Sequence, residues 1–189
     1  MKALKNRLKF SFSFSFFFLI TFILLFDENN ISFFSLISSF LHEGAHIITL
    51  LFFDSCRIKV SFKLAGISIS AQKKPSLEWA FLLSGPLFNL ILALGYPLFP
   101  VFSAVNLVIG LLNLYPVYFT DGGRLLFLLL KKLLPINIAE KAELIISGIL
   151  LVPLITLGVL VAIKSPLNSS LLIIAVYVAF CLFSRGGLD

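Results

Sequence analysis

His42, Glu43 and His46 form an H-E-x-x-H pattern within Leu41-His42-Glu43-Gly44-Ala45-His46-Ile47. On a helix, residues four apart point the same way. Two imidazoles one turn apart reach a single zinc ion, and the intervening glutamate is left to act as a base. The apolar run continues through Ile48-Thr49-Leu50-Leu51-Phe52-Phe53 and is long enough to span a bilayer. An ionisable group in hydrocarbon costs about 2.5–3.5 kcal/mol on insertion scales, so such groups usually serve a function. H-E-x-x-H also arises by chance in soluble proteins. Chance is a weaker account inside a membrane span that holds three such groups.

A catalytic zinc site usually takes three protein ligands and a water. The chain has two histidines, both in the motif, so the third ligand is a carboxylate or a thiolate. Of the nine acidic residues, Asp27, Glu28, Asp54, Glu140, Glu143 and Asp189 fall in loops or at span ends, and Glu78 sits beside Trp79 in an interfacial setting. Glu43 is the expected base. Asp121 remains as the carboxylate inside a membrane segment. It lies about 10 residues from Lys131, and the histidines lie about 7–11 residues from the end of their own span, so all three stand about 10–17 Å below one surface. Two alternatives stay open. Asp121 pairs with Arg124, three residues on along the same helix face, or Cys181 supplies a thiolate.

The elements that must position these residues follow from composition. The chain has 189 residues, 59% hydrophobic and 13% charged, with a mean hydropathy of +1.07. A soluble domain is about 45–50% apolar and about 25% charged. The expected fold class is therefore an all-α polytopic membrane protein, a single membrane-embedded domain over residues 1–189. The net charge of +6 is not a nucleic-acid footprint, because the basic residues flank apolar runs, where they set orientation. Cys56 and Cys181 are far apart and imply no disulfide framework.

Six spans are expected, at about 10–26, 31–53, 77–99, 101–131, 142–163 and 167–184. The basic N-terminus precedes Phe10–Phe26, which is followed by Asp27-Glu28-Asn29-Asn30 rather than a small-residue cleavage site, so a retained span is expected. The Phe/Ser alternation of 10–16 has a strand period, but the length of the run favours a helix. The fourth span is interrupted around Tyr115-Pro116 and Gly122-Gly123. Non-helical backbone at that depth survives only when buried in protein or lining a cavity. Lysines and arginines put both termini and the loops after spans two and four on the cytoplasmic side; Lys164 is the exception.

Between spans two and three, Arg57–Leu64 and Ile67–Ser70 alternate polar and apolar residues around Ala65-Gly66. This predicts a small β-hairpin at the cytoplasmic face, whose edge would suit an extended peptide. An amphipathic linker lying on lipid is the competing reading. In span three, Ser84-Gly85-Pro86-Leu87-Phe88-Asn89 loosens the helix and places an amide at membrane depth.

Taken together, HEGAH, GPLFN and NLYPVYFTDGGR resemble, in order, the motifs of the site-2 protease family of intramembrane zinc metalloproteases (peptidase M50). The likeness covers a three-helix catalytic core at about residues 31–131, with flanking helices at 10–26, 142–163 and 167–184. It implies one zinc ion, His42, His46 and Asp121 as its ligands, and Glu43 as catalytic base. It also implies Asn89 and Asn113 as residues that position substrate or stabilise the oxyanion. Two departures stand out. Phe119 occupies the place where many relatives have a second proline before the aspartate, and the chain has room for neither a PDZ nor a CBS domain. The layout looks most like the branch that processes a membrane-associated sigma-factor precursor during sporulation.

The expected function is thus a zinc-dependent intramembrane endopeptidase in a bacterial-type cell membrane. Its expected partners are the bilayer, a membrane protein substrate and a regulatory membrane partner. The alternative is a non-catalytic zinc-binding membrane protein, either a transporter or a pseudoprotease scaffold. A transporter needs a polar path across the membrane, and the near-unbroken apolar runs Phe10–Phe26 and Leu171–Phe180 offer none. A pseudoprotease would be expected to lack the glutamate that is present at position 43.

Overall fold

The computed structural model describes residues 8–14, 16–17, 20–21, 30–53, 58–63, 66–71, 77–164, 176 and 179. In chain order the elements are β1 (Leu8–Phe12), α1 (Ile31–Phe53), β2 (Ile58–Lys63), β3 (Gly66–Ala71), α2 (Glu78–Ala93), α3 (Pro100–Leu114), α4 (Asp121–Leu133) and α5 (Ile136–Lys164). They fall into two units, Met1–Leu112 and Asn113–Asp189.

In the first unit, α1 starts just after Asn30, whose φ of 55° lies in the left-handed region that asparagine tolerates better than most residues. The Asn30 carbonyl accepts the Phe34 N–H at 3.0 Å. Along α1 the buried residues are Ser38, His42, Ala45, His46 and Leu50, one stripe at helical spacing. Both histidines therefore belong to the inward face. Helix α2 packs against this face and buries Leu82, Gly85, Pro86 and Asn89. It ends earlier than the expected span, at Ala93. Gly95, Pro97 and Pro100 punctuate the turns that follow.

The hairpin is present, as β2 and β3 paired antiparallel with Val60 opposite Ile69. It is part of a three-stranded sheet in the order β1-β2-β3. This corrects the reading of the first span, whose opening residues are a strand. Leu8–Phe12 pairs parallel with β2, Leu8 opposite Ile58 and Phe12 opposite Phe62. The physical reason is the alternation itself. A period of two matches a strand that finds an open edge. Phe12 stacks on Phe62 at 4.5 Å between ring centroids, and the Ser11 hydroxyl bonds that of Ser61 at 3.0 Å. Of the remaining first span, Phe14, Phe16, Phe17, Ile20 and Thr21 are helical. The sheet packs on the C-terminal end of α1, with Phe16, Leu50, Ile58, Val60 and Phe62 forming a buried cluster.

In the second unit, the interruption expected in span four is a six-residue break, 115–120, that ends at α4. Helix α5 begins at Ile136 rather than 142, so Glu140 and Glu143 lie inside it. Glu143 is buried, not at a span end as the sequence suggested, because the helix extends a turn and a half further back. Val117 and Leu151 form the core of this unit. The sixth expected span lies outside the described residues except Val176 and Ala179, both helical.

The fold is mostly helical. Among the described residues, Ile31–Phe53 and Ile136–Lys164 are long and apolar enough to cross a membrane, and Glu78–Ala93 and Pro100–Leu114 are shorter apolar helices.

Candidate metal centre

The first unit brings His42 and His46 together with their Nε2 atoms 3.2 Å apart. Each ring is gripped from behind. His46 Nδ1 lies 2.6 Å from the Phe81 carbonyl and 3.2 Å from the Ser84 hydroxyl. A carbonyl only accepts, so Nδ1 of His46 carries the proton and donates it there. His42 Nδ1 lies 2.7 Å from Asn89 Oδ1 and donates to it in the same way. In the neutral form of each ring Nε2 is then the acceptor, and the two Nε2 atoms face each other in a site where the rings are only 5% and 3% exposed. Two lone pairs at that distance repel unless a cation lies between them.

The geometry fits zinc. Two nitrogens each about 2.0–2.1 Å from one tetrahedral ion stand about 3.3 Å apart, close to the spacing observed here. The second helix leaves room for them by having no side chain at the critical position. A Cβ on Gly85 would lie 2.5 Å from His46 Nε2 and 2.7 Å from His42 Nε2. The glycine of the GPLFN stretch thus lets the α2 backbone close over the imidazole pair.

Asn89 faces the Nδ1 side of His42. It is fully buried, and its amide is occupied. Nδ2 donates to Asn106 Oδ1 at 2.7 Å and toward the Ser38 carbonyl at 3.3 Å, and Oδ1 accepts from His42. An amide so engaged orients an imidazole and has no donor left for an oxyanion. Asn106 was not singled out from sequence. A lone asparagine in an apolar helix carries no spacing signal, and its partner is 17 residues away.

Glu43 is half-buried on α1, one position after His42. Asn113 lies in the last turn of α3 and is also half-buried.

In the second unit, Asp121 is the first residue of α4. Thr120 caps that helix, accepting the Gly123 N–H at 3.0 Å. The first turn of a helix favours a negative side chain. Gly122 and Gly123 are required by close backbone approach, since a Cβ on either would collide with the Leu114 or the Val117 carbonyl respectively. The preceding loop is pinned to α5. Tyr115 Oη donates to the Leu150 carbonyl at 2.7 Å, in the turn loosened by Pro153, and the Tyr118 N–H donates to the buried Ser147 Oγ at 3.0 Å. Ser147→Ala should therefore leave a backbone N–H without its partner and cost about 1 kcal/mol. An unfolding midpoint in detergent identical to wild type would show that water replaces the serine.

No protein-family model matches the chain. It is 32% identical over 161 residues to Stage IV sporulation protein FB of Bacillus subtilis (strain 168), covering 77% of this chain and 54% of that protein. The chain thus spans about half the length of the curated relative it matches. Among solved structures, the Site-2 Protease from Methanocaldococcus jannaschii has a similar fold. The TM-score is 0.63 at 20% identity, over 97% of this chain and 93% of that one. With the paired imidazoles of HEGAH in place, the chain has the fold of that site-2 protease along nearly its whole length and is similar in sequence to the sporulation protein.

Proposed function

We propose that the protein is a zinc-dependent intramembrane endopeptidase that cuts a membrane-associated or transmembrane protein near the cytoplasmic face. The observation that carries this is the imidazole pair, with the two Nε2 atoms facing each other 3.2 Å apart in a buried site and both Nδ1 atoms held from behind. His42 and His46 would hold the ion, with Asp121 as third ligand on the sequence argument of elimination. A bound zinc ion supplies Lewis acidity, which makes water a nucleophile near neutral pH. Glu43 takes the proton of that water as its oxygen bonds to the peptide carbon. Glu43 then returns the proton to the leaving nitrogen as the C–N bond breaks, yielding a carboxylate and an amine. Asn89 keeps His42 in the ligating orientation throughout.

A helical substrate hides its carbonyls in its own hydrogen bonds and must unwind to be cut. Among the described residues strand β2 has a partner on each side, so an unwound segment would add to an outer strand, and β3, the second strand of the hairpin, is the edge we assign to it. The substrate class extends to a membrane-associated sigma-factor precursor on the motif and layout resemblance drawn from the sequence; the name of the relative adds only sporulation. The protein is read as a multi-pass membrane protein with both termini cytoplasmic, on the placement of its basic residues.

The test is zinc quantification on purified protein, with cleavage of co-expressed membrane substrates that stops on chelation and returns with zinc. A metal-free protein that still cleaves would end this reading. Asp121→Asn is expected to weaken zinc binding by more than the about 10–100-fold typical of an outer-shell partner. Unchanged metal content by mass spectrometry would assign Asp121 to Arg124 instead.

A further inference from the structure

Asn106 and Asn89 form a chain of amides whose direction is fixed from its far end. Asn106 Nδ2 donates to the Phe102 carbonyl at 2.9 Å. A backbone carbonyl cannot donate, so the other end of the Asn106 amide, Oδ1, must face Asn89. Asn89 Nδ2 donates to that oxygen at 2.7 Å and toward the Ser38 carbonyl at 3.3 Å. Two acceptors on one side of Asn89 turn its Oδ1 toward His42 Nδ1, at 2.7 Å. The proton of His42 is thereby held on Nδ1, and Nε2 keeps its lone pair. Both asparagines are fully buried, where hydrogen bonds of such a network are stronger than in water.

We infer that Asn106 is a positioning residue that sets the tautomer of His42 through Asn89, so that Nε2 is the ligating nitrogen. This rests on the zinc reading above and extends it to a residue on a third helix that touches neither metal nor substrate. His46 needs no such relay, because the Phe81 carbonyl faces its Nδ1 directly. At His42 the partner of Nδ1 is the Asn89 amide, a group that has two possible orientations. Asn106 removes that ambiguity.

The discriminating pair is Asn106→Leu and Asn106→Asp. Leucine is close in size and cannot accept, so the Asn89 amide loses one of the two contacts that orient it. Zinc affinity, measured by chelator competition, is expected to fall about 10–100-fold, the range for outer-shell partners of a ligating histidine. A neutral aspartic acid reproduces both contacts, its hydroxyl donating to the Phe102 carbonyl and its carbonyl accepting from Asn89. It is expected to bind zinc as the wild type does. The second readout is the nitrogen NMR signature of His42 in zinc-free protein. It should report Nδ1–H in the wild type and the Asp variant, and a shift toward Nε2–H in the Leu variant. Equal zinc affinity in all three proteins, or equal loss in both variants, overturns the relay. A wild type that binds no zinc would instead overturn the metalloprotease reading, and the tautomer measurement on zinc-free protein would still judge the relay.

Discussion

Gly85→Ala should abolish zinc binding and, with it, cleavage. The added methyl would sit 2.5 Å from His46 Nε2, 2.7 Å from His42 Nε2 and 2.8 Å from His42 Cε1. Real Cβ atoms do not approach other atoms that closely, so either the rings or the α2 backbone must move. The rings cannot retreat without giving up the Phe81 carbonyl and Asn89, which hold their Nδ1 atoms at 2.6 and 2.7 Å. The backbone cannot retreat without uncovering the packed face of α1. The loss is therefore expected to exceed the about 10–100-fold of a single outer-shell contact. Gly44, inside HEGAH, is the control. A Cβ there meets nothing within 4 Å, so Gly44→Ala should keep its zinc. Metal analysis of the two variants side by side decides the matter. Full zinc content in Gly85→Ala would mean that α2 stands off freely from the imidazoles.

The second large effect is expected at Glu43→Gln, with the opposite pattern. Glutamine keeps the shape of the side chain and leaves both imidazoles untouched, so zinc content should stay at the wild-type level. A neutral amide cannot take the proton of water. General-base catalysis contributes about 10²–10⁴-fold in rate, and cleavage should drop by at least that range. The pairing of the two measurements matters more than either alone. Loss of activity with metal retained identifies a base, whereas loss of both would make Glu43 part of the metal site. A purified glutamine variant that cuts at the wild-type rate would remove Glu43 from the mechanism.

The imidazole pair was legible because a four-residue spacing converts directly into one helix face, whatever the rest of the fold does. The hairpin was legible for the same kind of reason, a period of two around Ala65-Gly66. The break before Asp121 could be read from Pro116 and the paired glycines. What failed were inferences that needed a partner. Leu8–Phe12 has the alternation of a strand, yet an isolated strand has no advantage over a helix in a long apolar run; its partner is β2, some fifty residues on. Glu143 was misplaced because the start of α5 rests on Pro135 rather than on any change in hydropathy: the Ile138 and Ala139 N–H groups bond to the Pro135 carbonyl. Asn89 was correctly seen as an amide in an apolar helix, but its role depends on which atoms face it, and those come from Ser38, Asn106 and His42 on two other helices.

The parallel pairing of β1 with β2 also has a consequence for synthesis. Parallel strands cannot be joined by a tight turn, and here the whole of α1 lies between them. At ~5–20 residues per second, the ribosome delivers β2 about 2.5–10 s after β1. During that interval a phenylalanine-rich strand waits without its ladder, the kind of edge that pairs with other chains. Lys2, Lys5, Arg7 and Lys9 stand immediately around its start, where charged gatekeepers oppose such pairing. The basic N-terminus would then serve the nascent chain as well as its orientation in the membrane.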